Sequence, residues 1–375
     1  MRIVMLGCRG IPATYGGVEK VVEELSVGLA KRGHEVSVIC RDHYTPKMRA
    51  YQNVDLIRLP TVRQKHLEMI VHSLLSALYV CIKKYDVVHI HSVEPAVVSI
   101  FLKLFHPIVA TSHGQAYRRD KWGRVFKRMS KAAERTFIRS PRVCTAVSRT
   151  LCQYYFDRYK RDVQYIPNGV KWQALLGPSH IRRFGLDKDG YILFVGRLIP
   201  TKGAELLIDA YNKIRPKVKL VIVGASSHTN GYEKKLRSKA GNDVLFLGYQ
   251  YGEQLRALYS NCKLFVFPSL IEGLPMVLLE AFSFLRPTIY SDIPENTEIA
   301  DGLGIAFRSG DVEDLADKLS RVLSNGGELN ARDTRIYEKL HSEYNWERIV
   351  DKYIEVYQTA VNRHRFDSSR AESAL

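Results

Sequence analysis

The feature that most constrains this chain is a regular alternation, end to end, of short unbroken apolar runs with amphipathic segments of helical length. In the first half the runs fall at 2–6, 35–40, 54–59, 86–91, 108–112, 143–147 and 163–166, with periodic segments such as 18–32 and 123–139 between them. A strand wetted on one face alternates apolar and polar residues, whereas a continuous run is covered on both faces. The pattern therefore predicts a mostly parallel sheet between layers of helices. The second half repeats it with runs at 192–195, 220–223, 244–247, 264–267 and 288–290. The turn Pro167, Asn168, Gly169 and the loosely patterned stretch to Gly190 separate the halves. The expected fold is α/β, with two Rossmann-like domains at 1–170 and 171–345 facing each other across a cleft. A late helix at 346–361 is expected to pack back on the first domain, and the polar tail 365–375 to fray.

The 375 residues suit two domains of about 150 to 200 each. An apolar content of 46% and a charged content of 25% exclude general disorder, a collagen-like chain and a disulfide scaffold. The longest apolar stretch, 67–82, contains Glu68, His72, Ser73 and Ser76 and falls short of the roughly 20 residues that span a bilayer, so no transmembrane helix is expected. The opening residues read as a buried strand rather than a signal peptide, which points to the cytoplasm. Cys8, Cys40, Cys81, Cys144, Cys152 and Cys262 form no Cys-x-x-Cys pair and lie mostly in apolar runs, so neither zinc nor a disulfide framework is expected.

Charge is unevenly placed. Of the net +17, residues 1–170 carry +15, from 28 Lys and Arg against 13 Asp and Glu. Within 117–142, ten basic residues face only Asp120 and Glu134 and interleave with Trp122, Val125, Phe126, Met129 and Phe137. Such a segment suits an anionic membrane surface, a polyanion, or simply a solvated helix face.

Chemistry in a doubly wound sheet is sought in the loops beyond the carboxyl ends of the strands. After the first strand, the loop from Gly7 to Gly16 and Gly17 leads directly into a helix. It is neither a dinucleotide fingerprint nor a P-loop. A glycine pair at a helix N-terminus offers amide groups to an anion, or is merely a turn. In the second domain, strand 191–196 runs into Arg197, and Lys202 and Gly203 precede the next helix, so one loop carries two cations suited to a diphosphate. The strand at 264–267 is followed by Glu272, Gly273, Leu274, Pro275, Met276 and Glu280. Pro275 suits the first helical position, leaving Glu272 in the loop and Glu280 about one to two turns inside the helix. The two carboxylates are then roughly 8 to 12 Å apart at 1.5 Å per residue, too far for a retaining glycosidase pair. They suit the two hydroxyl-bearing ends of an elongated ligand whose anionic middle faces the helix N-terminus near Met276. A sugar nucleotide has that shape.

Taken together, Gly16 and Gly17, the strand end Ser112, His113, Gly114, the turn at 167–170, the loop from Gly196 to Gly203 and the Glu272 to Glu280 motif resemble a retaining glycosyltransferase of family 4, with the GT-B fold. The resemblance covers all but the last ten or so residues. It implies that Glu272 binds donor-sugar hydroxyls, that Glu280 binds the ribose, and that Arg197 and Lys202 hold the diphosphate. It further implies that His113 contacts the donor sugar or acceptor near the reacting carbon. The opening from Gly10 to Leu25 is similar to a subset of bacterial enzymes that build surface polysaccharides. His89 and His91 share a strand face, which suits packing better than a metal, since no third ligand stands at a sensible spacing. Asp187 and Asp189 read as turn chemistry.

The activity implied is transfer of a sugar from a nucleoside diphosphate to an acceptor hydroxyl with retention, by front-face displacement and with no metal cofactor required. Positive groups at Arg197, Lys202 and the helix near Met276 would stabilise the leaving diphosphate. The expected partners are a nucleoside-diphosphate sugar, a saccharide or polyprenyl-diphosphate-linked acceptor, and an anionic membrane surface on the inner face of the cell membrane. Nucleic acid is not expected, because no recognition motif accompanies the charge. A sugar-nucleotide epimerase of the same fold would convert donor without acceptor, and a silent binding protein would do neither.

Overall fold

The computed structural model describes residues 1–14, 16–64, 67–115, 124–226, 230–325 and 334–372. It divides into two compact units: unit 1 comprises Met1–Gly169 and Tyr344–Leu375, and unit 2 comprises Val170–Glu343.

Unit 1 is built on β1 Arg2–Leu6, β2 Glu35–Arg41, β3 Ala50–Tyr51, β4 Val54–Leu59, β5 Val87–His91, β6 Ile108–Ser112, β7 Val143–Ala146 and β8 Gln164–Tyr165. Their order in the sheet is β3-β4-β2-β1-β5-β6-β7-β8, parallel throughout except for the short β3 against β4. The five residues of β5 and of β6 are all buried, as continuous apolar runs require. The chain returns to this unit at Tyr344 and closes it with the helix Trp346–Glu372. Ile349, Val350, Tyr353, Val356, Tyr357 and Ala360 form its buried stripe at helical spacing. The frayed tail expected over 365–375 is corrected as far as Glu372, because the helix runs that far.

Unit 2 contains β9 Tyr191–Val195, β10 Lys219–Val223, β11 Val244–Gly248, β12 Leu264–Phe267, β13 Thr288–Ser291 and β14 Ile305–Phe307, in the order β11-β10-β9-β12-β13-β14. Leu207, Ile208 and Tyr211 of the helix Ala204–Ile214 pack onto Ile192, Phe194, Leu220 and Ile222 in its core. The chain winds outward from β9 to one edge, then resumes beside β9 at β12 and winds to the other. The topological switch point lies between β9 and β12.

Asp187 and Asp189 lie in a turn, where Gly190 N donates to Asp187 O and Asp189 pairs with Arg286. Among the described residues no helix is long and apolar enough to cross a membrane, and all six cysteines are free thiols.

Gly28 marks where the closing helix meets the helix Gly17–Lys31: a Cβ there would stand 2.5 Å from Val350 Cγ2. Replacing Gly28 with Val should cost about 1–3 kcal/mol in overpacking. Urea unfolding should show partial recovery when Val350→Ala is added.

Candidate active site

The switch point of unit 2 is bordered by the loops after β9, β10 and β12, and two close approaches hold them together. Gly203 has φ +71°, and a Cβ there would lie 2.0 Å from Pro268 O. A Cβ on Gly224, after β10, would lie 1.9 Å from Gly196 O. Neither contact tolerates a side chain. Backbone bonds then tie the loops: Leu270 N donates to Thr201 O at 2.9 Å and Leu198 N to Ala225 O at 3.2 Å.

These ties bring Lys202 and Glu272 together. The Lys202 ammonium donates to Glu272 Oε1, and Ser269 Oγ donates to the same oxygen at 2.6 Å. Both charged side chains are largely buried, at 18% and 9% exposure. Behind Ser269, its carbonyl accepts from Ser291 Oγ at the end of β13, and buried Asn296 donates to Ser291 O at 3.0 Å. Ser269, Ser291 and Asn296 are absent from the sequence expectation. Ser269 could have been found, since it stands three residues before Glu272 on the same turn; Ser291 and Asn296 arrive through the register of a neighbouring strand.

Helix Met276–Ser283 begins one residue later than expected, with Pro275 as its N-cap at φ −79°. Its first-turn amides face the loop end as helix geometry requires. Leu274 is buried, so its side chain belongs to the core, whereas Gly273 and Met276 are partly exposed. Glu280 sits in the second turn, and Tyr259 OH lies 3.4 Å from Glu280 Oε2 and 3.5 Å from Val277 O. Burial, reinforced by the Glu280 charge, pushes the Tyr259 phenol well above its ordinary value, so it remains a donor. Its ring stacks on Phe284 at 5.1 Å, which fixes the hydroxyl. Arg197 is exposed at the end of β9.

Unit 1 has a different chemistry at its strand ends. His113 follows β6 and is partly exposed. Its Nε2 lies 3.1 Å from His91 Nδ1, and the two rings stack at 5.4 Å. His89, one pleat before His91, contacts Tyr357 OH at 2.8 Å and Thr111 Oγ1 at 2.7 Å. Burial lowers all three: His89 to about 3, His113 to about 4, and His91 well below the usual imidazole value. All three are neutral at physiological pH, and His89 is a packing residue. Among the described residues no group of three or more His, Cys, Asp or Glu is placed to hold a metal. Gly16 and Gly17 stand at the helix start, but the side chain beside Gly16 is the Glu19 carboxylate, which also accepts from Arg9 N at 3.2 Å. A carboxylate there favours a hydroxyl-bearing ligand over an anion.

Two doubly wound units in series are the architecture of the GT-B fold. The chain matches Glycosyltransferase Family 4 over residues 15–172 and Glycosyl transferases group 1 over residues 179–339. It is 28% identical to an uncharacterized glycosyltransferase of Methanocaldococcus jannaschii, spanning 96% of this chain and 99% of that one. It is 26% identical to the Escherichia coli UDP-Gal:alpha-D-GlcNAc-diphosphoundecaprenol alpha-1,3-galactosyltransferase, spanning 91% and 93%. The solved structure of Anabaena HepE in complex with UDP and glucose superimposes with a TM-score of 0.79 at 18% identity, covering 96% and 100%. The protein belongs to the family 4 glycosyltransferases.

Because His89 is held neutral, its pKa is lower in the folded than in the unfolded chain, and unfolding takes up a proton. That stabilisation is complete above about pH 6.5 and is lost as pH falls toward 3. At pH 5 His89 alone should have cost unit 1 about 2 kcal/mol. Hydrogen exchange at β5 in urea should show this loss between pH 7 and pH 5, and a smaller one in His89→Asn.

Proposed function

We propose that the enzyme takes a sugar from a nucleoside diphosphate bound by unit 2 and transfers it, with retention, to the hydroxyl of a lipid-linked saccharide. The observation that carries this is the pairing of Lys202 with Glu272 across the switch point. One loop supplies a cation for a diphosphate, the other a carboxylate for sugar hydroxyls, and the two touch. Glu280, steadied by Tyr259 on the preceding helix, is assigned the ribose, and Arg197 and the amide end of Met276–Ser283 the phosphates. On unit 1, neutral His113 is assigned to the reacting sugar or acceptor. The galactosyltransferase relative, whose name specifies a UDP-sugar donor and a diphosphoundecaprenol acceptor, supports a nucleotide sugar and a lipid-linked acceptor here.

In front-face displacement the bond from the anomeric carbon to the phosphate oxygen breaks while the acceptor oxygen bonds on the same face. The acceptor proton passes to the leaving phosphate oxygen. Protein catalysis is then electrostatic, through cations that stabilise charge growing on the diphosphate. This needs no metal. The place of work is the cytoplasmic face of the cell membrane, with the enzyme held peripherally by its basic first unit.

The Lys202–Glu272 pair makes the two substitutions distinguishable. Lys202→Ala should weaken binding of a bare nucleoside diphosphate about 10- to 100-fold, since a charged hydrogen bond contributes about 1.5–3 kcal/mol. Glu272→Ala releases Lys202, so diphosphate binding should hold or tighten while kcat/KM for sugar transfer falls by a similar factor. Calorimetry with a panel of nucleoside diphosphates, alongside transfer assays with labelled sugar nucleotides and membrane extract, reads both. Equal loss of diphosphate binding in the two variants would overturn the division of roles. Donor conversion without acceptor would indicate an epimerase.

A further inference from the structure

The helix Leu67–Cys81 faces the wrong way for an ordinary core helix. Against unit 1 it buries His72, Ser73, Ser76, Ala77 and Val80, while Leu67, Leu74, Leu78 and the following Ile82 are exposed, Ile82 at 78%. The helix Ser99–Leu102 packs beside it, and there Ile100, Phe101, Leu104 and Phe105 are also exposed, Leu104 at 71%. Single exposed apolar residues are ordinary; eight on two neighbouring segments mark a surface that something covers.

Charge surrounds this ridge. The next helix, Arg124–Arg139, contacts Ser99–Leu102 and exposes Arg128, Lys131, Arg135 and Arg139 at helical spacing. Arg139 opens onto a pocket of about 720 Å³ that Lys103, Arg142, Arg161 and Arg363 also line, with no carboxylate among its described lining residues. Leu104 and Phe366 form its apolar edge, so Leu104 belongs to both the pocket and the ridge. The stretch 344–375 adds five charges of each sign, and unit 1 keeps the net +15.

We infer that this face docks on a bilayer containing anionic phospholipid, with the ridge entering the boundary of headgroups and acyl chains and the pocket taking a lipid headgroup phosphate. Five cations, with no carboxylate among the described lining residues, call for a polyanionic or phosphate-bearing ligand, and an adjoining apolar ridge calls for an amphiphilic one. A second copy of the chain would bring the same positive unit against its own kind, and like charge opposes that pairing. At 15 residues, about 22 Å, the helix Leu67–Cys81 is too short to cross the roughly 30 Å core and lies in the interface. The inference rests on the peripheral placement proposed above, not on the sugar-transfer assignment. Its apolar residues differ from those expected at 117–142, whereas Arg128, Lys131, Arg135, Arg139 and Arg142 belong to that stretch. Phe137 is fully buried against Tyr155 and cannot insert, Met129 is half exposed, and Trp122, Arg118, Arg119 and Lys121, with the side chains of Arg124 and Phe126, lie outside the described residues.

Flotation of the full chain with phosphatidylcholine vesicles, with and without phosphatidylglycerol, tests this. Wild type should float with the anionic vesicles only, and less at high salt. Leu78→Ser with Leu104→Ser should lower partitioning about tenfold or more, and Lys103→Glu with Arg161→Glu should abolish the preference for phosphatidylglycerol. Both variants should keep wild-type circular dichroism and donor turnover on a soluble acceptor. Wild type that fails to float at low salt, or variants that float like wild type, overturns the docking surface. So does a wild-type dimer in sedimentation that Leu78→Ser dissolves, which assigns the ridge to self-association. Lost sugar transfer with vesicle binding intact counts against the catalytic assignment and leaves this surface standing.

Discussion

The candidate site of unit 2 depends on backbone lying against backbone at the carboxyl ends of β9, β10 and β12. Gly203 against Pro268 O and Gly224 against Gly196 O leave no room for a methyl group, and the loops close on one another only because neither glycine has one. From that closure follow the Leu270 to Thr201 bond, the position of Ser269, and the meeting of Lys202 with Glu272. The ion pair is thus a consequence of the loop packing. Once formed it holds two otherwise independent side chains at fixed separation, and removing either partner leaves the other charge partly buried and uncompensated.

The two units use opposite electrostatic means at equivalent places. Unit 2 presents charge beyond its strands, stabilised by mutual pairing and by hydroxyl donors. Unit 1 presents imidazoles from which burial has removed the charge, stacked so that His91 backs His113. A neutral imidazole can accept or donate a hydrogen bond without attracting counter-charge, which suits contact with hydroxyls, while the paired cation of unit 2 suits phosphate. The excess positive charge of unit 1 lies instead on its outer helices and in the basic pocket.

Most strands were legible because a doubly covered strand is apolar along its buried length, and the runs at 2–6, 108–112 and 264–267 coincide with β1, β6 and β12; the run at 54–59 coincides with β4, although that strand is only partly buried. Two strands were not. β3 has only two residues, and β14 is three residues with a partly exposed pattern, so neither makes an apolar run. The helix past 361 leaves no mark in the sequence because its residues there are polar and show no stripe. Arg197, Lys202 and Glu272 stood out as candidates because their charges stand in short loops at strand ends, and Glu280 because it follows on the next helix. Ser291 and Asn296 could not, since they join the site through the lateral order of β12 and β13, a property of pairing rather than of local sequence. The Leu67–Cys81 helix shows the same limit on a larger scale: its apolar residues were evident, but which of its faces the sheet would cover was not.

The path of the chain through the two units has a consequence for biosynthesis. Unit 2 is an insertion, because the chain leaves unit 1 at Gly169 and returns only at Tyr344. A ribosome releases the whole of unit 2 before the residues that cover one side of the first sheet have left the exit tunnel. His89 and Thr111 therefore wait for Tyr357 and Tyr353 across sequence separations of 268 and 242 residues, with their strands open on that face. Unit 2, continuous in sequence, can mature as it emerges, whereas unit 1 lacks its closing helix until the chain has returned to it at Tyr344. In the interval β5, β6 and β7 lack the helix that packs on them, and the apolar surface it covers stays open to solvent.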